Sequence, residues 1–364
     1  MLPSYYDEII DHPGAWKAAD LSNKDSYAFD LTKRHCDTLD AAVVKVKRAG
    51  LKIDDIRREE FPLAAIEDDI AALDDEVRQG RGIVLIRGFP VDRYDLDDLE
   101  TLYWGFGTHF GTAVSQSVLG DRIGHVTDKS KEVASERSYR NSNELTPHTD
   151  CNEMIAMLSV RTAKSGGESK YASALTVHNE ILRTHPEHLK QLYDGFYYHR
   201  RGEEPPGAPP CTSHKVPVFS CVDGYVSARY VPGYLEAAAP ELGIDFPEEL
   251  TRAMAYFDEV ACRNDVMVTA LLEPGEMSMQ NNFTVLHGRT NFEDYDEPGR
   301  ERLLLRLWID IANGRPHNPH VAIYETDSIV KREGARPTFE GNAFKEHGML
   351  QGAVASRSKY PPEH

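Results

Sequence analysis

The stretch Pro147-His148-Thr149-Asp150-Cys151 places an imidazole and a carboxylate two residues apart. Side chains alternate with a period of two on an extended segment, so both groups face one way and can share a metal ion. A distant stretch, Leu286-His287-Gly288-Arg289-Thr290, supplies a second imidazole. Two histidines and one carboxylate form the facial triad of non-haem Fe(II) sites, which leaves positions open for a co-substrate and O2. The sequence therefore predicts an iron site at His148, Asp150 and His287.

Three other places in the chain have a histidine two residues before an acid, so the spacing alone is a weak signal. Their surroundings are predicted to be helical, and residues i and i+2 of a helix face different ways. Only the pair at 148 and 150 precedes a strand-like segment, Met154 to Thr162. The pairs rejected on this ground are His35 and Asp37, His178 and Glu180, and His185 and Glu187.

The composition predicts a soluble globular chain and disfavours two classes of partner. Of its 364 residues, 40% are hydrophobic and 27% charged, and the formal net charge is -18. This excess of acids disfavours nucleic acid and anionic membrane surfaces as partners. No apolar run approaches the roughly 18 residues of a membrane span. We expect a small-molecule substrate, no nucleic-acid or membrane partner, and leave a homo-oligomer open.

The N-terminal residues and the cysteines predict a cytoplasmic location. Residues 1–14 lack the basic region and apolar core of a signal peptide. The five cysteines are scattered and form no C-x-x-C pair, which argues against a disulfide framework or a structural zinc site. Reduced thiols in the cytoplasm are the expectation.

Three segments are predicted along the chain. Residues 1–75 are charged and carry apolar residues at helical spacing, which predicts a helical N-terminal extension. Residues 76–312 are predicted to hold the core with helical insertions. Residues 313–364 are predicted to form a C-terminal extension packed on that core.

Short strands punctuated by glycine and proline predict the fold of residues 76–312. Residues 121–146 are polar and irregular, which predicts a surface loop with substrate contacts or a lid function. Asp223-Gly224 is the turn of a predicted hairpin between residues 216–222 and 225–230. This order predicts a mostly β chain with flanking helices (α+β) on a double-stranded β-helix, a jelly-roll or cupin-like core. Strands are predicted at 82–90, 154–162, 170–172, 266–272, from 277 through to His287, and at 302–310, with helices at 96–106, 175–193 and 247–262.

Four stretches together resemble the Fe(II)/2-oxoglutarate-dependent dioxygenases of the taurine dioxygenase (TauD/TfdA-like) family. The resemblance covers roughly residues 80 to 312, and the order and spacing of the four stretches carry it. It implies an enzyme that uses Fe(2+), 2-oxoglutarate and O2 to oxidise, by default to hydroxylate, an unactivated C–H bond of a small anionic metabolite, releasing succinate and CO2. The stretches are GIVLIRGF (82–89), PHTD (147–150), SGGESKYAS (165–173), and NNFTVLHGRTNFED (281–294) followed by RERLLLRLW (300–308).

The resemblance also implies roles for individual residues. His148, Asp150 and His287 match the family's iron ligands and catalytic centre. Arg302 matches the arginine that holds the distal carboxylate of 2-oxoglutarate, a task suited to a bidentate guanidinium. Ser169 matches the hydroxyl donor to that carboxylate, where the family more usually has threonine.

The substrate contacts stay open between alternatives. Arg306 lies four residues beyond Arg302 and faces the same side of a strand, so it can anchor an anionic group of the prime substrate. An arginine paired with an acid is an equal alternative, and a shift in register would exchange the two arginines' roles. Arg229, Asn143 and Gln116 are further candidates for the pocket lining.

Two other functions use parts of the same pattern. A zinc-dependent hydrolase would use the same three ligands and a zinc-bound water as nucleophile. A non-catalytic jelly-roll protein would bind the metal or 2-oxoglutarate as a sensor. The hydrolase leaves Arg302 and Ser169 without a purpose, and the intact triad disfavours the sensor.

Overall fold

Two β-sheets form the core of the computed structural model, which describes residues 6–128, 141–324 and 328–335. In the larger sheet, β1 runs parallel to β2 and the other neighbouring strands are antiparallel. Its strands lie in the order β1 (Ala28–Asp30), β2 (Ile83–Arg87), β12 (Glu276–Asn281), β6 (Met154–Arg161), β15 (Leu303–Asp310) and β3 (Thr112–Ala113), with β4 (Ile123–Val126) also paired to β15.

The smaller sheet carries both predicted metal-binding stretches. Its four antiparallel strands lie in the order β11 (Met267–Ala270), β8 (Ser169–Ser173), β13 (Val285–Arg289) and β5 (Leu145–His148). His287 on β13 is paired directly with His148 on β5. The two sheets form a double-stranded β-helix, so the predicted fold class is confirmed.

Two short antiparallel pairs lie outside these sheets. The predicted hairpin is present as β9 (Phe219–Val222) and β10 (Tyr225–Ala228). Its turn places Asp223 and Gly224 at φ of 50° and 83°, which an aspartate tolerates and a glycine adopts without strain. The other pair joins β7 (Ser165–Gly166) to β14 (Phe292–Glu293).

Seven helices cover the sheets within the described part of the chain. On α1, buried Leu39, Val43 and Val46 recur at helical spacing, and burial of each such side chain stabilises the fold by about 1.5–3 kcal/mol. The first three helices pack with the larger sheet, and the last four pack around the hairpin. They are α1 (Lys33–Arg48), α2 (Glu67–Arg78), α3 (Leu96–Gly107), α4 (Ala174–Thr184), α5 (Pro186–Asp194), α6 (Pro232–Leu242) and α7 (Glu248–Ala261).

The chain departs from the predicted elements at three places. Residues 123–126 of the predicted loop form β4, while residues 129–140 of it lie outside the described residues. The helix predicted over 175–193 is two helices, because Pro186 lacks an amide hydrogen and starts α5 at its first position. The strand predicted to reach His287 ends at Asn281. A turn closed by the Thr284 amide and the Asn281 carbonyl (3.1 Å) then moves the chain to the other sheet.

The terminal segments contribute to the core directly. Residues 28–30 of the predicted helical extension form β1 at the edge of the larger sheet. In the C-terminal segment, Val321, Ile323 and Ile329 are buried, and residues 336–364 lie outside the described residues. The three-segment division stays a prediction. All five cysteines are free thiols. In the parts of the chain that the structure describes, no helix has the length and apolar character needed to cross a membrane.

Candidate active site

Three potential metal ligands meet at the edge of the smaller sheet. His148 ends β5, Asp150 follows two residues later, and the pairing of β13 with β5 sets His287 opposite His148. The two imidazole centroids are 4.5 Å apart, and one ligand atom from each of the three residues lies within 4.8 Å of the others. Among the described residues, no other group of histidines, cysteines and acids comes together in this way. The three rejected His-x-acid pairs therefore stay apart from any such cluster.

The positions of the two imidazoles suit coordination of a metal ion. The Nδ1–H of His148 donates to the Thr146 carbonyl at 2.8 Å, which leaves Nε2 with a lone pair for a metal. Burial and the neighbouring His287 lower the pKa of His148 to about 4, so the ring is neutral at pH 7. Nε2 of His287 lies 3.7 Å from Asp150 Oδ2. Two imidazoles and a carboxylate are the donor set that divalent iron accepts, so these residues fit the predicted metal.

Asp150 is fixed by two donors from β15. Its Oδ2 accepts from Trp308 Nε1 at 2.7 Å and from Arg306 Nη1 at 3.3 Å. Burial by itself would raise the pKa of Asp150, but the Arg306 guanidinium and His287 hold it well below its usual range. Asp150 is therefore a carboxylate at neutral pH. Trp308 was not predicted as a site residue from the sequence, although Trp308 lies two residues after Arg306 and therefore on the same face of the strand.

On one side of the triad, Arg302 forms an open cationic site. It is 3% exposed, and its guanidinium carbon lies 5.0 Å from the Phe292 ring centroid. Nη2 donates to the Gly167 carbonyl at 3.4 Å, and Nη1 has no acceptor among the described residues. Burial lowers the pKa of Arg302 to about 10, which still leaves a cation at neutral pH. A buried cation without an ion-paired acid suits a carboxylate ligand.

The residues around Arg302 also suit the binding of a carboxylate. Ser169 on β8 is buried, and Tyr171 faces the same way two residues later. Burial raises the pKa of Tyr171 despite the opposing effects of the Ser278 and Ser169 hydroxyls and of Arg302, so the phenol stays protonated and can donate. Gly167 has a φ of 79°, and a Cβ there would lie 3.0 Å from Arg302 Nε. Tyr171 and Gly167 were not singled out from the sequence, although both lie inside the SGGESKYAS stretch.

Arg306 and Gln116 lie together behind Asp150. Gln116 Oε1 accepts from Arg306 Nε at 2.7 Å, and its Nε2 donates to the carbonyls of Arg122 and Arg306, both at 2.8 Å. Gln116 is thus placed to orient Arg306, which in turn contacts Asp150 and lies against the Trp308 ring. The role of either residue in binding substrate stays a prediction.

Asn143 lies on the segment that leads into β5, and its side chain is exposed. Its carbonyl accepts from Arg289 Nη2 at 2.9 Å, and the Asn141 carbonyl accepts from the same arginine. Arg289 therefore ties this segment to β13, while a substrate contact of the Asn143 side chain stays a prediction.

On the other side of the triad, the hairpin docks against the His-x-Asp segment. The Thr149 amide donates to the Tyr230 carbonyl at 2.8 Å, and the Tyr230 amide donates to Thr149 Oγ1 at 2.9 Å. Arg229, which precedes Tyr230, is 1% exposed and lies 5.0 Å from the Phe283 ring centroid. Tyr230 thus holds this segment against Thr149, which lies between the ligands His148 and Asp150, and a pocket role of Arg229 stays a prediction.

Comparison with protein families supports the arrangement. The profile described as "Taurine catabolism dioxygenase TauD, TfdA family" matches residues 47–308. The chain is 30% identical over 318 residues to FR-33289 synthase of Streptomyces rubellomurinus, covering 85% of this chain and 93% of that protein. It is 23% identical to taurine hydroxylase-like protein SAT17 of Stachybotrys chartarum, over 80% of this chain and 77% of that protein. A uridine-5'-phosphate dioxygenase of a Streptomyces species is 32% identical over 40% of this chain and 52% of its own length.

Solved structures share the fold at low sequence identity. An asparagine oxygenase in complex with Fe(II), a hydroxyasparagine and succinate superposes with a TM-score of 0.58 at 16% identity, covering 78% of this chain and 93% of that chain. The non-haem iron oxygenase OrfP in complex with Fe and alpha-ketoglutaric acid gives a TM-score of 0.57 at 16% identity, with the same coverage.

Proposed function

The chain belongs to the TauD/TfdA family and is a 2-oxoglutarate-dependent non-haem iron dioxygenase, and we propose that it hydroxylates a small anionic metabolite at the His148, Asp150 and His287 centre. One observation carries the assignment of the site: the three ligating side chains converge at β5 and β13, and a buried arginine, Arg302, contacts Gly167, just before the strand β8 that pairs with β13. Arg302 has no ion-paired acid among the described residues. A metal triad next to an open carboxylate site is the combination that a keto-acid-dependent oxygenase requires. The cytoplasmic location and a homo-oligomer stay predictions from the sequence.

Each residue has a distinct part in the proposed chemistry. Bound Fe(2+) and 2-oxoglutarate supply the oxidising power: O2 and 2-oxoglutarate become succinate and CO2, and one oxygen atom enters a substrate C–H bond. The chain supplies binding and orientation. His148, Asp150 and His287 would hold the iron. Arg302 would hold the distal carboxylate of 2-oxoglutarate, with hydroxyl donation from Ser169 and from Tyr171.

The supporting residues keep this arrangement fixed. Trp308 and Arg306 orient the Asp150 carboxylate through Oδ2, which leaves its other oxygen for the metal. Gln116 holds Arg306 in place from behind. Fixed donors around a buried site exclude water and reduce the freedom of the bound groups.

An anionic small molecule is the proposed prime substrate. Two relatives are named for anionic compounds, since taurine bears a sulfonate and uridine 5'-phosphate a phosphate. Buried arginines near the triad suit such groups because guanidinium pairs with oxyanions through parallel hydrogen bonds. Hydroxylation is the proposed outcome at the C–H bond.

Metal exchange tests the proposed function against hydrolysis. Protein stripped of metal is loaded with Fe(II) or with Zn(II) and given 2-oxoglutarate, O2 and a panel of small anions, and succinate is measured. We expect succinate with Fe(II) only, raised by those anions that are substrates, and lost in His148→Ala. Succinate release with Zn(II), or no succinate with Fe(II) under any condition, would contradict the proposal.

A further inference from the structure

Arg229 is a buried guanidinium with two nitrogens, Nε and Nη1, that find no acceptor among the described residues. The side chain is 1% exposed, and Nε and Nη1 are buried without a hydrogen-bond partner. No ion pair with Arg229 occurs among the described residues, and one face of the guanidinium lies over the Phe283 ring. The ring fixes the plane of the guanidinium while its N–H edges remain available.

The acids near Arg229 are committed to other groups. Asp150 Oδ2 already accepts from Trp308 and Arg306, and Glu153 Oε1 accepts from the Arg315 amide at 2.7 Å. Burial outweighs the attraction of these carboxylates, because the pKa of Arg229 is lowered from its ordinary value. The cation is therefore placed near the triad without a neutralising partner.

Further unpaired polar groups lie on the same hairpin face. The register of the hairpin sets Ser227 directly opposite Ser220, and alternation puts Ser227 and Arg229 on one face. Both serines are buried, and in the part of the chain that the structure describes neither hydroxyl has a hydrogen-bond partner. Asn282, next to Phe283, accepts from the Asp150 amide through Oδ1, while its buried Nδ2 has no acceptor. Buried donors without acceptors are thus concentrated around Arg229.

A second buried arginine, Arg200, shows that missing hydrogen bonds are unusual for a buried guanidinium. Arg200, 2% exposed, donates through Nε to the Ile323 carbonyl at 2.8 Å and through Nη1 to the Pro209 carbonyl at 2.9 Å. That pattern is the ordinary way to bury an arginine for structural reasons, because each donor regains the hydrogen bond that it loses in leaving water. Arg229 is as deeply buried but lacks such bonds, which is costly unless a ligand supplies the acceptors.

We propose that Arg229, with Ser227 and Ser220 on the same hairpin face, binds an oxyanion group of the prime substrate beside the metal centre. This inference rests on the proposed function, since it identifies what the substrate presents to that site. The oxyanion is a carboxylate, sulfonate, phosphonate or phosphate, because these groups carry the acceptor oxygens that a guanidinium fork and two hydroxyls require.

Anion binding to the loaded enzyme tests the inference. Protein holding Fe(II) and 2-oxoglutarate without O2 is titrated with sodium phosphate, sulfate or acetate against chloride at constant ionic strength. The melting temperature reports anion binding, and the visible charge-transfer absorption of the Fe(II)–2-oxoglutarate chelate reports the co-substrate site. The variants are Arg229→Met, Arg229→Lys and Ser227→Ala, with Arg200→Met as the matched buried-arginine control.

We expect the melting temperature of the wild type to rise with at least one oxyanion while the chelate absorption persists. Arg229→Met should weaken that anion by at least about 30-fold, as expected for loss of one partner of a buried charge pair. Arg229→Lys and Ser227→Ala should weaken it less. Arg200→Met should lower the melting temperature yet keep the response. The acetate and the phosphate or sulfate arms separate a carboxylate from a tetrahedral oxyanion.

Two results would overturn the inference: no response of the wild type to any of the three oxyanions, or an unchanged response in Arg229→Met. Absence of the chelate absorption from the wild type would instead count against the proposed function. An anion response that depends on Arg229 would still support the binding site in that case, so the two failures are distinguishable.

Discussion

The two sides of the metal triad obtain a buried arginine in different ways. On one side, Arg302 immediately precedes β15, a central core strand, and contacts Gly167 of the Gly166-Gly167 turn. On the other, Arg229 directly follows a hairpin outside both sheets, and its neighbour Tyr230 joins this segment to Thr149, between the ligands His148 and Asp150. Neither has an ion-paired acid among the described residues. The proposed co-substrate side is thus built from the core, and the proposed substrate side from an addition to it.

Arg306, four residues beyond Arg302, shows the contrasting case. Its Nη1 contacts Asp150 and its Nε contacts Gln116, so its charge serves a residue of the chain itself. A buried arginine whose donors are used by the chain positions a neighbour. A buried arginine whose donors lack acceptors is available to a ligand. We therefore expect substitutions of Arg302 and Arg306 to have different effects.

The largest effect is expected from loss of the Asp150 carboxylate, a member of the metal triad itself. Asp150→Ala removes one of three metal ligands, so we expect a loss of turnover greater than the roughly 10–100-fold that follows removal of a supporting group around a metal. Succinate release measures turnover, and circular dichroism checks the fold. If the variant keeps its turnover, Asp150 does not belong to the ligand set.

Arg302→Met should affect 2-oxoglutarate and spare the prime substrate. Loss of one partner of a buried charge pair costs about 2–5 kcal/mol, which corresponds to a rise of roughly 30- to 4000-fold in the KM for 2-oxoglutarate. Steady-state kinetics with each substrate varied in turn measures this split.

Arg306→Met, four residues along, is the matched control for that variant. We expect it to weaken iron binding, since it removes a donor from Asp150, and to change the KM for 2-oxoglutarate much less. Exchange of the two phenotypes would assign 2-oxoglutarate to Arg306. A rise confined to the KM of the prime substrate would support the substrate role predicted for Arg306.

Trp308→Phe tests the support behind the triad. It removes the 2.7 Å hydrogen bond to Asp150 Oδ2 but keeps an aromatic ring in the core. We expect a loss of about 10–100-fold in iron affinity, with 2-oxoglutarate still bound once iron is saturating. Titration of the apo-protein with Fe(II) measures the affinity. Unchanged affinity would mean that Arg306 alone suffices to orient the carboxylate.

The smallest effect concerns the support of the hairpin. Tyr230 donates to Asp258 Oδ1 at 2.8 Å, and burial raises the pKa of Asp258 to about 6. The folded state therefore binds this proton more tightly than the unfolded state, so the stability that Asp258 contributes is full below about pH 4 and is lost as the pH rises through about 6.

Asp258→Asn should remove this dependence on pH. We expect the variant to gain about 1–2 kcal/mol relative to the wild type between pH 4 and pH 7, after allowance for solvent screening of a partly buried group. Urea unfolding at the two pH values measures the difference. A constant difference between variant and wild type would show that Asp258 keeps its ordinary pKa.

The core side of the molecule could be predicted further from the sequence than the hairpin side. That His148 and Asp150 face one way follows from the alternation of side chains along a strand. Their pairing with the distant His287 follows from the family resemblance. Trp308 was within reach of the same reasoning, because it shares a strand face with Arg306. The break between α4 and α5 was signalled by Pro186.

The remaining features depend on contacts between distant segments. The crossing from β12 to β13 was missed because the turn at residues 282–284, which moves the chain between sheets, contains no glycine or proline to mark it. The hairpin was predicted from Asp223-Gly224, but its docking on Thr149 is a contact over about eighty residues of chain. The absence of acceptors around Arg229 depends on every neighbour at once, so no local pattern could indicate it.

The central claim is that Fe(II) and 2-oxoglutarate bind together at His148, Asp150, His287 and Arg302. The most direct measurement is the visible absorption of apo-protein reconstituted with Fe(II) and titrated with 2-oxoglutarate in the absence of O2. We expect a weak charge-transfer band that saturates in the wild type, is lost in His148→Ala, and requires far higher 2-oxoglutarate in Arg302→Met. Fe(II) binding without the band in the wild type, or a titration unchanged by Arg302→Met, would contradict it.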